Sequence, residues 1–233
     1  MGYFWPIIVL RFVPLFFILA VLIGAIAYPG GNIHDPNQLG YSFTNNFLSD
    51  LGGYKSHSSE QNFISSFFFN MAMCFFIFVG IAFLFIPKIF ENKKPLQKLA
   101  FLGSIFLLIG TFLFAGVGLT PYDLYLDLHV FFALNAFRLI VPGCLCYFIV
   151  LLLSDIPNRH AFVAGIYLFS VFAYVCYQLF STGNPFDNYD DMVIQATIQK
   201  LIVIISVLSF FSFSFAFEWQ IKSLSQYDSK SLN

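Results

Sequence analysis

An all-α integral membrane bundle of six transmembrane helices is the fold this sequence predicts. Three observations carry it. Hydrophobic residues make up 59% of the chain and charged residues only 10%, against about a quarter charged in a soluble domain. The apolar residues gather into runs of the roughly 20 residues that cross a hydrocarbon core. Charged or turn-forming stretches separate the runs. Residues 1–233 thus form a single transmembrane domain, with no length left for a separate soluble one. A formal charge of −1 supplies no basic surface, which excludes nucleic acid as a partner and leaves membrane lipids as the expected one.

The first span covers about 6–28 and is read as retained, because its apolar run exceeds a signal-peptide core. Arg11 lies near its cytoplasmic end and is expected to snorkel to the interface. The long loop that follows opens with Pro29-Gly30-Gly31. Within it, Thr44 is expected to cap a short amphipathic helix with Phe47, Leu48 and Leu51 on one side, stopped by Gly52 and lying at the outer boundary. Ser58 and Gln61 read as a capping box for the second span, about 63–87. The third span, about 99–119, carries Gly103, Gly110, Gly116 and Gly118, and the sixth, about 194–219, carries Ser206, Ser209 and Ser212. Such small residues let helices approach closely. The fourth and fifth spans cover about 129–153 and 162–182. All four cysteines (Cys74, Cys144, Cys146, Cys176) fall inside spans and read as small hydrophobes.

Cations fix the expected orientation. Lys88, Lys93, Lys94, Lys98, Arg159, Lys222 and Lys230 lie on one side and only Lys55 on the other, which places both termini in the cytoplasm of a cell-membrane protein. Trp5 and Trp219 then anchor the same inner interface. The opposite loops, including Thr120–His129 and the acidic stretch 183–192, hold the motifs that suggest function.

Arg138 and Lys200 lie inside the fourth and sixth spans, where a charge is costly and normally faces a partner, a cavity or a substrate. At about 1.5 Å per residue, Asn70, Arg138 and Lys200 fall at similar depths below the outer face, with Gln199 beside them. Asp127 shares a helical face with Asn135 and Arg138, while His129 points elsewhere. One reading is a cavity in which Arg138 and Lys200 hold an anionic lipid head group while Asp50, Asp123 and His129 bind its polar remainder. A second is a structural or accessory subunit, with other membrane subunits as partners, in which Arg138 pairs with Asp127 or Asp50. A third is a metal-assisted hydrolase using Asp50, Asp123, Asp127 and His129 as oxygen-rich ligands. The supply of histidines is poor for zinc, and no span holds one in its interior for haem. No metal or other cofactor is therefore assigned. A Ser49–His129–Asp arrangement can be written, but no nucleophile-elbow motif accompanies it.

Several short motifs occur together: Asn46-Phe-Leu-Ser-Asp-Leu-Gly52, Asn70, Thr120-Pro-Tyr-Asp123 followed by His129, and Gln199-Lys200. In this the chain resembles the prokaryotic six-helix membrane proteins grouped as domain of unknown function 998. More distantly, its Ser-Asp-Leu-Gly element is similar to that of the autophagy-modulator and GPI-lipid-remodelling membrane proteins. The resemblance implies a prokaryotic inner or plasma membrane, a link to lipid handling, and a shared outer site of Asn46, Ser49, Asp50, Asn70, Asp123, His129 and Lys200. The family pattern has Gln-Arg where this chain has Gln199-Lys200.

Overall fold

In a bilayer every backbone amide must be satisfied within its own segment, and apolar runs of this length meet that requirement as helices. The computed structural model, which describes residues 3–231, has six helices long and apolar enough to cross a membrane. They are α1 (Leu10–Ala27), α2 (Phe63–Phe85), α3 (Lys94–Leu119), α4 (Leu126–Leu153), α5 (Asn158–Phe180) and α6 (Tyr189–Ser231). A π-helical turn, Phe4–Val9, leads into α1, and a 3-10 turn, Ile86–Phe90, extends α2. Four helices, α3 to α6, begin before their apolar runs, three of them where first-turn chemistry favours a start. Pro95 sits in the first turn of α3, Asp127 in that of α4, and Asp190 and Asp191 in that of α6. Hydropathy marks where hydrocarbon begins, whereas proline and carboxylates mark where the helix does.

Each helix packs on its neighbours in sequence, and α6 closes the ring against α1. The centre is aromatic: Phe83 meets Tyr147 edge-on at 4.9 Å and Phe210, Phe213 and Phe217 at about 6 Å. Ser104 hydrogen-bonds the Phe83 carbonyl (2.6 Å) and the Tyr147 hydroxyl (2.7 Å), tying α2, α3 and α4 together. Small residues let α3 and α4 approach. A Cβ at Gly103 would lie 2.8 Å from that of Cys146, and one at Gly143 would lie 2.8 Å from Leu107. Cys144 and Cys146 are buried, Cys74 and Cys176 half-buried, and all four are free thiols. Helix α5 is the most peripheral, with large hydrophobics such as Phe162, Phe169 and Phe172 turned outward.

The end of the bundle opposite the lysine-rich turn is closed by a cap made of residues 28–62. The expected amphipathic surface helix is instead a five-residue 3-10 turn, Leu48–Gly52, with Leu48, Asp50, Leu51 and Gly52 buried. Thr44 does not cap it, since its hydroxyl hydrogen-bonds the neighbouring Asn45 side chain. Nor does the Ser58–Gln61 box start α2. Ser58 bonds locally to Ser56, and Asn62, at the helix boundary, donates from Nδ2 to the carbonyls of Leu51 and Gly53. Buried carbonyls of the cap thus take the polar groups that a surface helix would have left for its own ends.

Arg11 is paired rather than snorkelling alone. It reaches Glu218 of α6 at 2.6 Å and Ser214 at 3.0 Å, and its guanidinium lies over Phe215.

Candidate functional site

Asn46 is the hub of the cap and is fully buried. Its Nδ2 donates to the Gly31 carbonyl (2.8 Å) and to Asp50 Oδ2 (3.0 Å), and its Oδ1 accepts from Gln38 (2.7 Å) and the Ser42 amide (3.0 Å). Gly31 is needed there, for it has φ +80° and a Cβ would run into the 57–58 backbone. Asp50 Oδ2 also accepts from the Phe47 amide, and its Oδ1 lies 3.4 Å from His57 Nε2 with no hydrogen bond between them. Burial, reinforced by the Asp50 carboxylate, pushes the hydroxyls of Tyr28, Tyr41 and Tyr122 well above the usual tyrosine range.

Helix α6 holds this cap from below. Gln199 Oε1 accepts the Leu48 amide at 2.8 Å. Lys200 donates to the carbonyls of Asn46 and, at 2.9 Å, Ala196, with the rings of Tyr41 and Phe43 above it. Asn70 of α2 donates to the Gly52 carbonyl (3.1 Å). Asp123 accepts the amides of Tyr54 and Lys55, both at 2.9 Å, and so ties the α3–α4 turn to the cap.

Beneath the cap, between α4, α5 and α6, lies a cavity of about 360 Å³. Ser49, Asp50, His57, Tyr122, His129, Gln178, Gln195 and Gln199 supply its polar lining. A smaller chamber of about 50 Å³ lies toward the bundle centre, walled by Phe69, Met73, Phe76, Phe114, Phe137 and Phe210. The two spaces share Ser49, His129, Ala133 and Gln199 as a common wall. A third, almost wholly apolar space of about 490 Å³ lies between α1, α6 and the cap, with Lys200 at its edge, and it shares Phe17, Leu48, Val203 and Val207 with the small chamber.

The predicted residues therefore separate by role. Asn46, Asn70, Asp123 and Lys200 bind cap and bundle together, as does most of Asp50, while Ser49, His129 and Gln199 face open space. Arg138 is not in the wall of any of these three cavities. It makes one long hydrogen bond to Asn135 (3.4 Å), and its Nε is buried without a partner. Asp127 is exposed, and among the described residues neither it nor Asp50 forms the expected ion pair with Arg138. Arg138 and Lys200, expected to grip one anion together, do not line a common cavity: backbone carbonyls engage Lys200, which edges the apolar lateral space, and Arg138 lines none of the three. Pro142, four residues on, also leaves the Arg138 carbonyl without its helical donor. Among the described residues no three of His, Cys, Asp and Glu converge on a point where they could hold a metal ion.

Sequence reasoning missed His57 and Tyr122 as cavity residues. His57 sits in the long first loop, and its ring lies 5.1 Å from that of Tyr122 only because the cap folds back over the α3–α4 turn.

The fold and site define a multi-pass helical membrane protein with a capped cavity at one end. No family model, no curated protein and no solved structure matches the chain.

Proposed function

We propose that this protein binds a membrane lipid at the outer face, taking the head group under the cap and the acyl chain toward the bundle centre, and that it serves lipid handling or remodelling. The observation that carries this reading is the succession of spaces: a cavity under the cap with polar side chains set in a largely apolar wall shares that wall with an apolar chamber, which in turn shares one with an apolar lateral space. A polar end and an apolar end in series match an amphiphile.

The lining favours a head group rich in hydroxyl or amine donors. Its acceptors include the Asp50 carboxylate and the Gln178 carbonyl oxygen, the latter buried without a partner. The anionic head group expected from Arg138 and Lys200 has less support, because neither cation lines this cavity. The accessory-subunit reading draws support at the other end of the bundle, where Arg11 and Glu218 form an interhelical pair.

Native mass spectrometry of gently solubilised protein tests the proposal. Wild type is expected to retain stoichiometric lipid, and Ala133→Phe, which places a ring at the shared wall, to lose it while keeping its unfolding temperature. Undiminished lipid on folded Ala133→Phe would refute binding along this route.

A further inference from the structure

Three side chains with free polar atoms stand where the polar and apolar cavities meet, the level at which the ester of an acyl lipid would lie if its head group sat under the cap. Ser49 is half-buried, and its hydroxyl has no hydrogen-bond partner among the described residues. His129 is buried, and its Nδ1 lies 2.6 Å from the Thr120 carbonyl oxygen. A carbonyl only accepts, so the ring proton is on Nδ1 and Nε2 is left as a base. Gln199 offers its Oε1 to the Leu48 amide, which turns its NH2 the other way, and that NH2 has no partner among the described residues. All three residues wall both cavities.

We propose that this junction is an acyl-transfer site acting on O-acyl esters of membrane lipids; the inference rests on the lipid-binding reading above. Ser49 Oγ attacks the ester carbonyl carbon while His129 Nε2 takes the hydroxyl proton. The oxyanion of the tetrahedral intermediate accepts a hydrogen bond from Gln199 Nε2. The ester C–O bond then breaks, the leaving alkoxide takes the proton from His129, and the acyl group stays on Ser49. Water entering from the polar cavity attacks the acyl-Ser49 carbonyl, again giving a proton to His129. Breakdown returns that proton to Ser49 and releases the fatty acid. No metal, oxidant or reductant is needed. The Thr120 carbonyl does the orienting work that a carboxylate does in a Ser-His-Asp triad.

Protein in lipid nanodiscs is treated with a fluorophosphonate probe, and the modified peptide is identified by mass spectrometry. The expected result is a single adduct on Ser49, absent in Ser49→Ala and slowed about 10²- to 10⁴-fold in His129→Gln, the range for loss of a general base. His129→Gln also covers the case in which Ser49→Ala fails to fold, since its unfolding temperature is read alongside its labelling. A folded wild type that leaves Ser49 unlabelled, or a His129→Gln that labels at the wild-type rate, overturns the inference. Lipid retention in the native mass spectrum is scored separately. Retained lipid with unlabelled Ser49 leaves binding standing and removes the chemistry, whereas loss of both removes the two readings together.

Discussion

Replacing Asn46 by alanine tests the cap as a unit. The change removes two donated and two accepted hydrogen bonds at a fully buried position. Each is worth about 1 kcal/mol net, and the one to the Asp50 carboxylate about 1.5–3 kcal/mol. The Gly31 carbonyl and the Ser42 amide would lose a partner inside protein, and the four bonds together amount to about 4.5–6 kcal/mol of cap stability. The transmembrane helices keep their own packing, so the cap should open without the bundle. Hydrogen exchange of residues 28–62 reads this directly: amides should exchange about 10³- to 10⁴-fold faster than in wild type, at 1.36 kcal/mol per tenfold, while α2 and α3 stay protected. Thr44→Ala, at an exposed threonine bonded only to side chains of its own loop, should change nothing. Unaltered protection of 28–62 in Asn46→Ala would refute the hub.

The two arginines within spans should differ. Arg11→Gln breaks a half-buried pair with Glu218 and should cost about 1–2 kcal/mol, between the values for exposed and buried pairs. Arg138→Gln removes only a long bond to Asn135 and should leave the unfolding temperature within error or raise it. Gly52→Ala should destabilise by about 1–3 kcal/mol, because its Cβ would lie 2.6 Å from Asn70 Oδ1 and 2.7 Å from Phe69. The double variant with Asn70→Ala should recover part of that loss in a thermal melt. The hydroxyls of Tyr28, Tyr41 and Tyr122 should stay protonated as pH passes about 10, where an unfolded tyrosine ionises. Because folding raises their pKa, the stability they contribute is complete below pH of about 10 and falls as pH rises beyond it. Ultraviolet difference titration of wild type against Tyr122→Phe would show one phenolate fewer only after unfolding.

The bundle was legible because its signal is repeated along every span: a run such as Phe63–Phe85 has no other stable solution in lipid. Helix starts were less so, since Pro95, Asp127 and Asp190 act through local chemistry that an apolar run does not register. Polar residues at one depth could be read, and Asn46, Asp50, Asn70 and Lys200 do meet through the cap. Which of them hold structure and which face space depends on long-range folding. Lys200 reaches a carbonyl 154 residues away, and Gln199 an amide 151 residues away. Arg138 misled for the same reason, since depth along a helix says nothing of azimuth around the bundle. Ser49 and His129 become neighbours of one cavity only because the 3-10 turn tucks beneath the cap instead of lying on the membrane.

The most direct test of lipid binding is a cryo-electron microscopy map of the full chain in nanodiscs made from native lipid. The account predicts elongated density with its head between Gln178 and the cap, passing Ser49, His129 and Gln199 into the aromatic chamber. A well-resolved map in which those residues enclose only water, with side chains elsewhere sharply defined, would contradict it.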